Sequence, residues 1–159
     1  MLDSTQRLVD RYGLSLCVEC GKCVAACPMR EILDGFSSEH SARGVVRRAL
    51  LGLEMVGHAG IWLCLTCDLC TNLCPAGVRF RDFIRAARRL SVETGRAKYG
   101  SFCRGCSAHI CPSYAVEYLK RTLGEASQEL LTLCPRCRQY RVGRRVKGLA
   151  VGSRRKAVQ

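Results

Sequence analysis

The chain has 159 residues, enough for one domain with an appendage, and its 26 lysines and arginines against 13 acidic residues give a formal net charge of +13. Its 13 cysteines are an odd count for a disulfide framework, and they cluster in short C-x2-C units that are typical of metal sites. No apolar run approaches the roughly 18–20 residues of a membrane span, and no secretory signal is evident, so we expect a soluble, cytoplasmic protein whose reduced thiols bind metal.

The first half of the chain is predicted to form helices on both sides of a cysteine block. Helical spacing predicts a helix over 3–12, a short helix over 29–36 after Pro28 and a longer helix over 42–53. Ser41 is suited to cap the longer helix. The apolar stripe of that helix is predicted to be Val45, Val46, Ala49, Leu50 and Leu53.

A second cysteine block precedes a predicted helix over 80–94. Core packing is predicted for its regularly spaced apolar residues, which are Phe80, Phe83, Ile84, Ala87 and Leu90. A solvated face is predicted for the arginines between them, Arg81, Arg85, Arg88 and Arg89. Trp62, just before the second block, is predicted to be a core aromatic residue.

Three segments are predicted along the chain. An all-α domain covers 1–96, a smaller cysteine-rich extension with a helix over 114–123 covers 101–146, and 147–159 is a flexible basic tail. No acidic residue follows Glu129, and such a basic block is typical of a solvated tail or of an arm that contacts an acidic partner. Nucleic acid is an unfavoured partner, because no binding motif or interleaved aromatic residues accompany the charge.

The strongest signal is the pattern C-x2-C-x2-C-x3-C-P, which opens at Cys17 and again at Cys64, 47 residues later. This run is typical of proteins with two [4Fe–4S] clusters, in which three cysteines hold one cluster and the fourth ligates the other. Cluster one is therefore assigned Cys17, Cys20, Cys23 and Cys74. Cluster two is assigned Cys64, Cys67, Cys70 and Cys27.

Five further cysteines follow the second block. Four of them form two C-x2-C knuckles that resemble those of zinc ribbons, with 27 residues between the knuckles: Cys103, Cys106, Cys134 and Cys137. A third [4Fe–4S] cluster is the alternative, because Cys111 precedes a proline as the last cysteine of each block does, and Cys134 or Cys137 could complete the set. If zinc is bound, Cys111 is expected to be a buried thiol, with His109 as a candidate substitute ligand. The third possibility is that these five cysteines bind no metal.

The blocks occur in a wider pattern that includes Ser41-Ala42-Arg43, Gly52, Ile61-Trp62-Leu63, Val78, Asp82, Ile84 and Arg88. With these residues, the region 8–95 resembles the C subunit of heterodisulfide reductase and the related iron–sulfur subunits of glycerol-3-phosphate and succinate dehydrogenases. The resemblance implies an α-helical ferredoxin domain. It also implies a relay of electrons between a flavin subunit and a partner that performs disulfide or other chemistry.

We predict a non-catalytic electron-transfer subunit of a larger heterodisulfide-reductase-like or flavin-dependent oxidoreductase complex. No catalytic residue is assigned, because the chain has no dinucleotide fingerprint, no adjacent paired cysteines and no defensible nucleophile pair. One alternative is a zinc-binding interaction or nucleic-acid-binding module, with thiols for zinc and the basic tail for phosphates. Another is a freely diffusing ferredoxin. The electron donor, the acceptor and the stoichiometry of the complex are left open.

Overall fold

The computed structural model describes residues 2–124, 128 and 130–155. The chain forms two compact units, unit 1 (Met1–Tyr99) and unit 2 (Gly100–Gln159). Its described part is mostly helical, as predicted, with one two-stranded sheet in unit 2.

Unit 1 is built from helices joined by short turns, and its described residues contain no β-strand. Two 3-10 turns lie at Leu14–Leu16 and Ser38–His40. The predicted helices over 3–12 and 80–94 match α1 and α7 closely, and the helix predicted over 29–36 is shortened to α3. The α-helices are α1 (Leu2–Arg11), α2 (Lys22–Ala25), α3 (Met29–Ile32), α4 (Ala42–Leu50), α5 (Ala59–Trp62), α6 (Leu69–Asn72) and α7 (Phe80–Glu93).

The core of unit 1 forms where α1, α4, α5 and α7 pack together. Ile61, Phe83 and Ile84 are fully buried there, and Trp62 is buried beside them, which confirms its prediction as a core aromatic residue. Burial of a side chain of this size contributes about 1.5–3 kcal/mol. The core therefore anchors the cysteine loops. Five cysteines of these loops pack against the edge of the core: Cys17, Cys23, Cys64, Cys70 and Cys74.

The length of α4 is explained by the residues at its two ends. Ser41 Oγ accepts a hydrogen bond from the backbone N–H of Gly44 at 3.2 Å, so the predicted cap is confirmed. The helix ends at Leu50, earlier than predicted, because Gly52 adopts a left-handed φ of 67° that terminates it. As a result Leu50 and Leu53 are exposed, and their prediction as part of the apolar stripe is wrong.

Unit 2 combines a β-hairpin with helices. β1 (Gly100–Phe102) and β2 (His109–Pro112) pair antiparallel, with an irregular register. α8 (Ser113–Thr122) matches the helix predicted over 114–123, and α9 (Pro135–Arg155) follows later in the chain. The hairpin departs from the predicted all-α class, because strands of three and four residues are too short to show an alternation of apolar and polar positions.

α9 continues into the segment predicted to be a flexible basic tail, 147–159. Residues 156–159 lie outside the described residues, and the flexibility of the tail stays a prediction. Among the helices that the structure describes, none combines the length and apolar character needed to cross a membrane.

Candidate metal centres

The two cysteine blocks share one backbone conformation. The residue before the second cysteine of each block, Glu19 or Thr66, has a left-handed φ of 52° or 54°. The residue after that cysteine, Gly21 or Asp68, has a φ of 78° or 72°. Such values are uncommon outside glycine, and a short helix, α2 or α6, follows in both cases. The repeat in the sequence is therefore also a repeat of local structure.

The first cysteine cavity brings three cysteines of one block together with the last cysteine of the other. Its cysteines are Cys17, Cys20, Cys23 and Cys74, and Arg43 also lines it. The cavity has about 320 Å³ of space, part of it open to solvent. These are the four cysteines that the sequence assigned to cluster one.

The second cysteine cavity has the reciprocal composition. Its lining includes the four cysteines assigned to cluster two, which are Cys27, Cys64, Cys67 and Cys70. Cys23 lines this cavity as well as the first. The cavity has about 500 Å³ of space, part of it open to solvent, and lies between the loops of the two blocks.

The donor chemistry of both cavities fits a [4Fe–4S] cluster. The lining of each cavity includes four thiols, three from one block and one from the other. Soft thiolate sulfur suits iron–sulfur cores, and four thiolates are needed, one for each iron.

Burial raises the pKa of the thiols of Cys23, Cys27 and Cys64, and it raises the pKa of Cys70 to about 12. At neutral pH these thiols therefore carry protons in the metal-free chain. Because metals bind thiolates, loading of the cavities releases protons and is favoured as pH rises.

Arg88 holds the segment that enters the second block. Its side chain is only 9% exposed. It donates hydrogen bonds to three backbone carbonyl oxygens, at 2.8 Å for Ile61, at 3.2 Å for Trp62 and at short range for Cys64. Its guanidinium also lies 5.6 Å from the centre of the Trp62 ring. Arg88 thereby positions the backbone of the first cysteine in that block.

The prediction that Arg88 belongs to a solvated face is wrong. Arg88 lies four residues after Ile84, so on a helix it falls on the same buried side. That position on the apolar stripe was a signal in the sequence. Arg85 and Arg89, on the other side of α7, are exposed as predicted.

Ion pairs flank both cysteine loops. Arg43 lies 2.7 Å from Glu19 in the first loop, and Arg81 lies 2.6 Å from Asp68 in the second. The hydrogen bond from Arg43 lowers the pKa of Glu19. Solvent screens surface pairs of this kind, so their main effect is to restrain the loops and set the local charge.

The other four candidate metal ligands meet in unit 2. The Sγ atoms of Cys103, Cys106, Cys134 and Cys137 all lie within 4.8 Å of one another, and those of Cys106 and Cys134 are 3.6 Å apart. Cys111 is half-buried in β2 and is not part of this group. His109 is not part of it either.

Backbone N–H groups point at one sulfur of the unit 2 group. The N–H of Cys134 donates to Cys103 Sγ at 3.3 Å, and the N–H of Gly105 donates to the same atom at 3.4 Å. These bonds lower the pKa of the Cys103 thiol, because they stabilise its thiolate. Hydrogen bonds with the neighbouring thiols raise the pKa of the Cys137 thiol, and the bond with Cys106 has the largest effect.

A comparison with known families supports an iron–sulfur interpretation of unit 1. Residues 13–78 match the family described as "4Fe-4S dicluster domain". The match includes both cysteine blocks and ends before the cysteines of unit 2.

Several curated relatives are subunits of heterodisulfide reductases. The iron–sulfur C subunit of the CoB–CoM heterodisulfide reductase of Methanopyrus kandleri is 35% identical over 85 residues, which are 52% of this chain and 42% of the relative. The C subunit of the ferredoxin:CoB–CoM heterodisulfide reductase of Methanosarcina mazei is 32% identical over 98 residues, 60% of this chain and 58% of the relative. A protein of Archaeoglobus profundus that is named for its likeness to the C subunit of heterodisulfide reductase is 33% identical over 82 residues, 50% of this chain and 42% of the relative.

These similarities confirm the resemblance to the C subunit of heterodisulfide reductase that the sequence predicted. The chain spans about half the length of the curated relatives it matches.

Proposed function

We propose, from the match of residues 13–78 to the 4Fe–4S dicluster domain family, that this chain carries two [4Fe–4S] clusters and transfers electrons as a non-catalytic subunit. The observation that carries the proposal is the composition of the two cysteine cavities, each with cysteines from both blocks. Cys23 lines both cavities, and cavities that adjoin in this way suit two redox groups close enough to exchange electrons.

The linings of the two cavities support the proposed ligand sets. We propose that Cys17, Cys20, Cys23 and Cys74 hold cluster one, and that Cys64, Cys67, Cys70 and Cys27 hold cluster two. Because Cys27 and Cys74 each hold the cluster of the opposite block, the clusters also join the two loops and stabilise the fold of unit 1. The fold proposed for this unit is that of an α-helical ferredoxin, over 1–96.

When bound, each cluster accepts and releases one electron. The protein supplies the four thiolates, the backbone N–H groups that tune the sulfurs and the core that limits access of water. The N–H of Thr66 donates to Cys64 Sγ at 3.3 Å, which stabilises negative charge on that sulfur. Arg88 adds a buried positive charge beside the same cysteine. Both features favour the reduced state at the second cavity.

The partners proposed are a flavin-containing subunit and a disulfide-reducing or other catalytic subunit. Exposed apolar side chains lie in or beside both loops, and such side chains suit contact with another protein: Leu16, Val18, Leu65, Leu69 and Leu73. The names of the curated relatives also describe subunits of larger enzymes. A cytoplasmic location is part of the proposal, because thiols there stay reduced for cluster assembly.

Anaerobic redox titration of the whole chain tests this proposal. We expect uptake of about two electrons per chain, one for each cluster, and a paramagnetic resonance signal broadened by the interaction of two reduced clusters. Cys67→Ala is expected to halve the uptake, whereas Cys111→Ser, which changes a cysteine outside both cavities, leaves it unchanged. An iron-loaded chain that takes up no electrons between about −700 and +450 mV would contradict the proposal.

A further inference from the structure

The four cysteines gathered in unit 2 form a site distinct from the two cysteine cavities. We propose that Cys103, Cys106, Cys134 and Cys137 bind one Zn²⁺ ion as four thiolates, and that this ion fastens α9 to the β1–β2 hairpin. The site lies outside the part of the chain that matches the dicluster family, so the proposal is independent of electron transfer in unit 1.

The distances between the sulfurs fit a single ion. A tetrahedral zinc with Zn–S bonds of about 2.3 Å holds its sulfurs about 3.8 Å apart. In unit 2 all four sulfurs lie within 4.8 Å of one another, with one pair at 3.6 Å. A cubane cluster binds each thiolate at a different iron, which separates the sulfurs more widely. The unit 2 group is therefore too tight for a third [4Fe–4S] cluster.

Cys111 also argues against a third cluster. That alternative uses Cys111 as a ligand together with Cys103, Cys106 and either Cys134 or Cys137. In the structure Cys111 is in β2, where it pairs with Ser101, and its sulfur is not among the gathered group. Four ligands are already present without it, which is the full number for structural zinc.

The first two ligands are placed by a tight turn between the strands. The N–H of Cys103 donates to the carbonyl of Ala108 at 2.9 Å, and the N–H of Ser107 donates to the carbonyl of Cys103 at 2.8 Å. Ser107 has a left-handed φ of 56°, which closes the turn. The turn therefore holds Cys103 and Cys106 on one side of the site.

The other two ligands are placed by the start of α9. Cys134 lies just before the helix, and its carbonyl accepts from the N–H of Arg138 at 2.9 Å. Cys137 lies in the first turn of the helix. Gly105 lies close to this turn. A Cβ atom added at Gly105 would lie only 3.2 Å from Cys137 Sγ. The absence of a side chain there allows the hairpin turn to approach the ligand.

Two further features suit a zinc ion bound by four thiolates. The N–H groups of Gly105 and Cys134 donate to Cys103 Sγ, which distributes the negative charge of the site. Arg104 and Arg136 lie between the cysteines of the two knuckles, so positive charge adjoins a site with a net charge of about −2. Crowded thiolates repel one another without a cation, and this repulsion is what the ion removes.

A small apolar cluster surrounds the site in the part of unit 2 that the structure describes. The buried apolar cluster around the site consists of Cys103, Leu133 and Cys134, with Ile110 and Cys137 packed against it. Three of these five residues are ligands of the proposed ion. A structural metal commonly stabilises a domain with a small apolar core.

The test uses the whole anaerobically purified chain and element-specific measurements, because iron–sulfur absorption does not interfere with them. We expect about one zinc per chain, and X-ray absorption at the zinc edge with about four sulfur ligands at about 2.3 Å. Cys106→Ser is expected to lose the zinc after dialysis against a chelator, whereas Cys111→Ser retains it. A chelator is also expected to speed proteolytic cleavage in unit 2 at least about tenfold, with the iron content of unit 1 unchanged.

Other outcomes overturn the proposal. Zinc-free protein with about twelve irons per chain, of which about four are lost in Cys111→Ser, assigns a third cluster instead. A zinc edge with fewer than four sulfur ligands, or equal zinc in Cys106→Ser and wild type, also contradicts the site. If Cys106→Ser does not fold, the coordination measured in the wild-type chain decides the question by itself.

Discussion

Replacement of Cys74 by alanine is expected to remove cluster one, although Cys74 belongs to the second block. The reason is that Cys74 lines the first cysteine cavity beside Cys17, Cys20 and Cys23. Replacement of Cys27 is expected to remove cluster two for the reciprocal reason. Each single variant is expected to lose about half of the iron, since each cluster holds four irons.

Double variants separate this exchange of ligands from the simpler assignment of one block to each cluster. Cys74→Ala combined with Cys20→Ala is expected to lose no more iron than either single variant, because both residues hold one cluster. Cys74→Ala combined with Cys67→Ala is expected to lose nearly all iron. The reverse result, with complete loss in the first pair and half loss in the second, would show that each block binds its own cluster. Non-additivity of this kind identifies residues that act together.

Replacement of Arg88 by methionine is expected to produce a large loss of stability. The variant removes the hydrogen bonds that Arg88 donates to the carbonyls of Ile61 and Trp62, and each lost bond to a charged group costs about 1.5–3 kcal/mol. We expect the anaerobic midpoint of thermal unfolding to fall by at least about 10 °C, from a combined loss of roughly 3–5 kcal/mol.

The matched control is Arg85→Met, one turn earlier on the same helix, because Arg85 is exposed. That variant is expected to shift the midpoint by no more than about 2 °C. Arg88→Lys, which keeps the charge but reaches fewer carbonyls, is expected to lie between the two. Equal midpoints for the two methionine variants would show that Arg88 has no structural role beside the second block.

Much of the candidate site could be predicted from local pattern. The spacing of the cysteine blocks predicts the loops, and the structure brings together the four cysteines of each assigned set. The helical repeat likewise predicts α7 to within one residue of its end, and Ser41 predicts the start of α4. These features depend on nearby residues, so a single sequence carries them.

Features that depend on distant packing were not predicted. Arg88 is buried because carbonyls of the α5 region need donors, and those carbonyls are far from it in sequence. The left-handed backbone of Asp68, where the first block has glycine, was not predicted either. The hairpin whose turn holds Cys103 and Cys106 was not predicted, because its short strands leave no periodic signal. The sequence therefore left zinc and a third cluster open, and the distances between sulfurs favour zinc.

The most direct test of two [4Fe–4S] clusters is the content of iron, acid-labile sulfide and zinc per chain in anaerobically purified protein. We expect about eight irons and about eight sulfides, together with about one zinc. Zinc without iron or sulfide would contradict it, and the chain would then be a zinc-binding module with no electron-transfer role.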